Sequence, residues 1–122
     1  MPSEKQIVDT FEKIAADMPG YMAASLVDLE SGMTLGLKSA RPDFDLAAAS
    51  AYNSEMVKQK LKIMKALNLK TTLDDMLITL GDQIHVIKLV GANAFIYLAV
   101  DRAHSNLAIV RNALNKHISS FV

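Results

Sequence analysis

An acid, a histidine and a serine follow an apolar run closely in this chain, as Asp101, His104 and Ser105. Hydrolases use these side-chain types as orienting acid, general base and nucleophile. That chemistry requires the serine Oγ and the acid to meet opposite imidazole nitrogens, whereas neighbouring side chains on a turn usually diverge. No G-x-S-x-G nucleophile elbow occurs in the sequence. The pattern therefore favours a strand end followed by a helix, with Ser105 as its N-cap.

The other residues with catalytic or ligand potential also favour structural roles. Asp74 and Asp75 are consecutive, so in an extended segment they point to opposite faces and cannot act as a paired acid and base. His85 falls in a predicted strand and His117 at a predicted helix end, without the spacing of a metal site. The sequence has no cysteine, Rossmann fingerprint or P-loop. We therefore expect no catalytic residue, metal or cofactor, and a protein that is not an enzyme.

A lysine cluster occupies the segment KQKLKIMK, in which Lys58, Lys62 and Lys65 share one face of a predicted helix. This face is either a solvated surface or a docking site for an acidic partner. Thirteen basic and thirteen acidic residues balance over the whole chain. That balance, and the lack of aromatic residues beside the lysines, argues against nucleic-acid binding.

Length and hydropathy indicate a single domain over residues 1–122. The first residues, MPSEKQIVDT, lack the features of a signal peptide, and no apolar run approaches the length of a membrane span. We expect a cytoplasmic protein without membrane insertion.

Apolar periodicity and turn residues predict the order α-β-β-α-β-β-β-α. A capping box at Ser3 and Gln6 starts the first helix, which is expected to end at Pro19 and Gly20. The strand AFIYLAV is apolar on both faces, so helices should cover both sides of the sheet. The expected fold is α/β (α+β): a three-layer α/β/α sandwich around a five-stranded, mainly antiparallel sheet, with the long helix on one face and the terminal helices on the other.

The long helix, expected from Asp43 or Phe44 to Leu67, has an apolar arc of roughly 180°. One sheet needs an apolar stripe only a little over about 100° wide, so the surplus favours a second partner, although loops of the same chain are an alternative cover. The strand DMLITLGD, expected at a sheet edge, could accept another strand. The arc comprises Leu46, Ala49, Tyr52, Met56, Val57, Leu61, Ile63, Met64 and Leu67.

This element order, with VDLESGMTLG early and AVDRAHSNLAIVRNAL late, resembles the Roadblock family of dynein light chains and their bacterial relatives, including the Mgl polarity system. The resemblance covers nearly the whole chain and implies a Roadblock/profilin-like fold with sheet order 2-1-5-4-3. In that family, dimers pair their long helices and join third-strand edges, and several members regulate Ras-like or Rag-type small GTPases.

The resemblance implies a non-enzymatic homodimer that regulates or scaffolds a Ras-like small GTPase, with a GTPase-activating role by positioning as one form of regulation. The alternatives are a profilin-like small-ligand sensor and a general protein-interaction module. Lys58, Lys62 and Lys65 would bind the partner. The dimer interface would comprise Tyr52, Met56 and Ile63 on the long helix, and Met76, Ile78 and Leu80 on the third strand.

Overall fold

The computed structural model describes residues 2–121. The elements follow the predicted order, and a short 3-10 helix closes the chain. They are α1 (Glu4–Ala16), β1 (Tyr21–Asp28), β2 (Thr34–Ser39), α2 (Leu46–Ala66), β3 (Asp75–Thr79), β4 (Gln83–Val90), β5 (Ala94–Asp101), α3 (Leu107–His117) and the 3-10 helix Ile118–Phe121. Within residues 2–121, no helix has the length and apolarity needed to cross a bilayer.

The five strands form one sheet in the order β2-β1-β5-β4-β3, and every neighbouring pair is antiparallel. This confirms the sheet order that the resemblance implied. β5 lies at the centre and is buried on both faces, whereas β2 and β3 lie at the edges. Alternation of side chains along each strand therefore divides the core into two layers.

Two apolar clusters fill these layers and confirm the three-layer prediction. On one face, α1 and α3 pack through Phe11, Ile14 and Leu114 against Leu26 and Leu98 of the sheet. On the other, which we call the α2 face, Leu46 and Val57 of α2 pack with sheet residues that include Phe95.

The helix ends agree with the sequence patterns to within a few residues. The Ser3–Gln6 capping box is present, because the Gln6 N–H donates to Ser3 Oγ and the Ser3 N–H donates to Gln6 Oε1. α1 ends at Ala16, before the Pro19 and Gly20 stop that the sequence predicts. α2 begins at Leu46, because Asp45 is its N-cap and accepts the Ala48 N–H.

Hydroxyl groups, in addition to apolar side chains, join α2 to the β1–β2 half of the sheet. Thr34 Oγ1 donates to Ser50 Oγ at 2.8 Å, and Ser50 Oγ lies 3.3 Å from Ser25 Oγ. Ser54 Oγ donates to the Leu29 carbonyl at 2.9 Å. Ser25, Ser50 and Ser54 are buried, and these bonds satisfy their hydroxyls.

Candidate functional site

Asp101, His104 and Ser105 do not form a catalytic triad. His104 Nδ1 lies 3.0 Å from Asp101 Oδ2, and Asp101 also accepts the Ala103 N–H at 2.8 Å. The Ala103 N–H and then His104 hold the pKa of Asp101 below its ordinary value. Ser105 Oγ has no hydrogen-bond partner within residues 2–121, so no base activates it. The acid and the histidine therefore stabilise a turn after β5.

The prediction that Ser105 caps α3 is wrong, because Asn106 holds that position. Asn106 has an extended backbone, with φ −148° and ψ 170°, and its Oδ1 accepts the Ile109 N–H at 3.0 Å. Both serine and asparagine are good N-cap residues, so the sequence "SN" does not determine which of the two residues precedes the helix. The Ser105 hydroxyl is turned into the protein instead.

Replacing each of these two neighbouring residues by alanine should affect the free energy of unfolding differently. Asn106→Ala should lower the free energy of unfolding by about 1 kcal/mol, because the first turn of α3 loses its side-chain acceptor. Ser105→Ala should change it by less than about 0.5 kcal/mol or raise it slightly, because the hydroxyl is buried without a partner. Urea unfolding of both variants measures the difference. A larger loss for Ser105→Ala would contradict this assignment of the cap.

The three histidines are distributed over separate parts of the molecule. His85 lies between Gln83 Oε1 at 2.8 Å and the Tyr97 hydroxyl at 3.2 Å, and burial lowers the pKa of His85. His117 bonds Asp17 at the end of α1. In the part of the chain that the structure describes, no group of three or more histidine and acidic side chains is arranged to hold a metal ion.

Asp74 and Asp75 also take separate positions. Asp75 begins β3, and its carboxylate accepts from Arg111 of α3 at 3.2 Å. Asp74 precedes the strand, and its carbonyl accepts the Leu89 N–H. The Asp75–Arg111 pair joins the β3 edge to α3.

An apolar stripe runs along the outer side of α2 and includes the helix residues predicted for the dimer interface. Tyr52 is 78% exposed and Ile63 is 38% exposed. Met56 is half-buried between this stripe and the cluster of the α2 face. Leu67, exposed at the helix end, lies about 60° around the helix from Tyr52 and extends the stripe.

The edge strand β3 contributes apolar side chains to the same face of the sheet. Met76 and Ile78 pair with Ile87 and His85 of β4, so their side chains lie on the α2 face. Met76 packs in the same cluster as Met56. Leu80 follows the strand and is 39% exposed. The structure therefore brings the predicted residues of the helix and of the strand to one side of the molecule.

The three predicted partner-binding lysines differ in their surroundings. Lys58 Nζ donates to the Glu30 carbonyl at 2.7 Å and lies 3.6 Å from Glu55, so it holds the β1–β2 turn. Lys62 and Lys65 are exposed and form no ion pair within residues 2–121. Of the three lysines, Lys62 and Lys65 therefore have ammonium groups without an ion-pair partner among residues 2–121.

Solved structures share this arrangement over nearly its whole length. MglB from Myxococcus xanthus has a TM-score of 0.79 at 12% identity, covering 97% of this chain and 89% of that chain. The gliding protein MglB of Thermus thermophilus has a TM-score of 0.83 at 17% identity, covering 96% and 86%. A Roadblock/LC7 domain from Streptomyces avermitilis has a TM-score of 0.78 at 11% identity, covering 98% and 94%. This chain has the Roadblock/LC7 fold.

The Roadblock fold is maintained here by a sequence that differs from these structures at most positions. No protein-family model and no curated protein sequence matches the chain. Several residues that shape this fold do not follow apolar periodicity. Ser50 and Ser54 join α2 to the sheet through hydroxyl groups, and their spacing of four residues is the signal that could have indicated it.

Proposed function

We propose that this chain is a non-enzymatic homodimer that regulates or scaffolds a Ras-like small GTPase. The observation that carries the proposal is the exposed apolar stripe of α2 together with the apolar side chains of the β3 edge on the same face of the sheet. Tyr52 is exposed on the helix, Leu80 is exposed after the strand, and Met56 and Met76 are partly buried against the same core cluster. Exposed apolar surface next to an unpaired strand edge is typical of a protein–protein interface.

A second copy of the chain is the partner that best matches this surface. An edge strand presents unpaired N–H and C=O groups, and an identical edge can satisfy both when two copies are related by a two-fold axis. The same axis brings the two α2 stripes together, as the resemblance to Roadblock dimers implies. The interface would contain Tyr52, Met56, Ile63, Met76, Ile78 and Leu80.

The GTPase part of the proposal is supported by the MglB likeness and by the surroundings of the arginines. A regulator that contributes directly to GTP hydrolysis can insert a free arginine into the transition state. Here each guanidinium already has a partner in the chain: Arg41 bonds Asp43, Arg102 bonds the Leu80 carbonyl, and Arg111 bonds Asp75. Regulation would therefore proceed by positioning the groups of the GTPase itself.

The proposal is tested with a Ras-like GTPase co-purified from the source cell and loaded with GDP or a GTP analogue. Lys62→Glu with Lys65→Glu should slow association about fivefold at low salt and leave the dimer intact, because exposed charges steer an acidic partner. The difference should shrink at high salt. A matched control reverses Lys5 and Lys13, which are on α1.

Three outcomes would contradict parts of this proposal. Equal association rates for the parent, the lysine variant and the α1 control would contradict the steering role of Lys62 and Lys65. Equal affinity of the GTPase for dimeric and monomeric forms of the chain would contradict a role of the dimer in GTPase binding. A saturable thermal shift with a small metabolite, without GTPase binding, would favour the small-ligand sensor.

A further inference from the structure

One end of the molecule is strongly basic although the chain as a whole is neutral. Residues 56–73 contain five lysines and no acidic residue, whereas the rest of the chain has eight basic and thirteen acidic residues. Lys60, Lys62, Lys65 and Lys70 are exposed. Across the described residues, none of these four forms an ion pair. The C-terminal end of α2 is therefore a surface of unpaired positive charge.

The backbone at this end is fixed by a Schellman motif. The Leu69 N–H donates to the Met64 carbonyl at 3.0 Å, and the Asn68 N–H donates to the Lys65 carbonyl at 3.0 Å. Asn68 has the left-handed backbone that the motif requires, with φ 57°. In this motif the residue after the left-handed one packs back against the last helical turn. Leu69 is thus held beside Met64, yet it remains 48% exposed.

A pocket of about 240 Å³ opens between the last turn of α2 and the chain that follows it. Its apolar lining comes from Leu61, Met64 and Leu69, and its charged lining comes from Lys65 and Lys70. Leu61 is 37% exposed, although it lies on the side of α2 that faces the sheet and is buried along the rest of the helix. A pocket that combines a small apolar surface with two lysine side chains suits one apolar side chain with neighbouring carboxylates.

We infer that this pocket, which we call the α2-end pocket, binds a short acidic peptide segment of a partner protein. One aliphatic or aromatic side chain of the segment enters between Leu61 and Leu69, and its flanking carboxylates pair with Lys65 and Lys70. Charge complementarity selects the acidic segment, because no acidic residue of residues 56–73 competes for these lysines. Concavity favours an inserted side chain over a flat lipid surface.

The α2-end pocket is separate from the proposed dimer surface. Leu61 lies about 180° around α2 from Tyr52 and about 160° from Ile63, so pairing through the stripe leaves the pocket open. The inference does not rest on the proposed GTPase. Lys65 is shared by the two proposals, but Lys62 does not line the pocket, and Leu69 and Lys70 are outside the proposed steering flank.

The test uses fluorescein-labelled peptides with three glutamates on each side of a central leucine, isoleucine, methionine, phenylalanine or tryptophan. Fluorescence anisotropy with the full chain should give saturable binding of at least one of them. A serine in the central position, or lysines in place of the glutamates, should abolish it. Lys65→Glu with Lys70→Glu should weaken binding about tenfold or more, since each exposed ion pair contributes up to about fivefold.

Two matched controls distinguish binding in the pocket from a general effect of positive charge or of exposed apolar side chains. Lys60→Glu with Lys62→Glu makes the same change in net charge outside the pocket and should weaken binding less than about twofold. Leu69→Ala should weaken binding at least about fivefold, whereas Leu67→Ala, at a more exposed leucine outside the pocket, should not.

Three results would overturn the inference. They are no saturable binding of any acidic peptide, equal loss in the pocket variants and their controls, and binding to phosphatidylserine-containing vesicles without binding to the peptides. The last result would assign the basic end to a membrane surface. None of these results depends on whether a GTPase binds the α2 flank, so the two proposals fail separately.

Discussion

Tyr52→Glu combined with Ile63→Glu is expected to convert a dimer of this chain into a monomer. Both side chains lie on the exposed stripe of α2, and in the proposed dimer both become buried against the partner helix. An unpaired carboxylate buried at an interface costs several kcal/mol. Two such groups in each chain, and so four in the dimer, should weaken dimerisation by at least about a hundredfold, which corresponds to about 3 kcal/mol. Analytical ultracentrifugation over a range of concentrations measures this change.

This pair is a sharper test than a variant that includes Met56→Glu. Met56 also packs in the core cluster of the α2 face, so its replacement would lower the stability of the monomer as well. The control is Ala47→Glu with Lys62→Gln, which makes the same change in net charge at exposed positions of α2 outside the stripe. A parent chain that remains monomeric at every concentration would contradict the proposed dimer.

Gly36→Ala is expected to lower the free energy of unfolding by about 1–3 kcal/mol, because the added methyl group overpacks a close contact. A Cβ at this position would lie 2.5 Å from Cγ2 and 2.9 Å from Cβ of Ile7. Ile7 belongs to the fully buried core and is held by α1, so it cannot move aside. α1 packs on β2 at this point because Gly36 has no side chain.

Gly81→Ala is the matched control, because a Cβ there would meet nothing within 4 Å. Its effect on the free energy of unfolding should stay within about 0.5 kcal/mol. Chemical unfolding followed by circular dichroism compares the two variants under the same conditions. Equal stabilities of the two variants would contradict the close contact between Ile7 of α1 and Gly36.

The order of elements was predictable because apolar periodicity reports burial directly. AFIYLAV has apolar residues on both faces, and β5 is the central strand with a helical layer on each side. The Glu30–Gly32 turn was predictable for a related reason, since glycine readily adopts the positive φ of 74° that Gly32 has. The sheet order came from the resemblance, because turn lengths do not determine how β1 reaches β5.

The details of the candidate site were less predictable because several residues satisfy the same local rule. Ser105 and Asn106 are both good N-cap residues, so the local pattern does not choose between them, and the structure has Asn106 in that position. Lys58 shares its helical face with Lys62 and Lys65, but the β1–β2 turn lies within its reach and accepts its ammonium group. The pattern of residues along one helix does not predict tertiary contacts of this kind.

The placement of charge along α2 has a consequence for how copies of the chain orient one another. Because the five lysines of residues 56–73 are balanced by acidic residues elsewhere in the chain, one copy has an electric dipole moment despite its zero net charge. In the proposed dimer, a two-fold axis perpendicular to α2 makes the components along the helices cancel. Pairing would thus replace a dipolar molecule with one that has two like-charged poles, and each pole could attract an acidic protein.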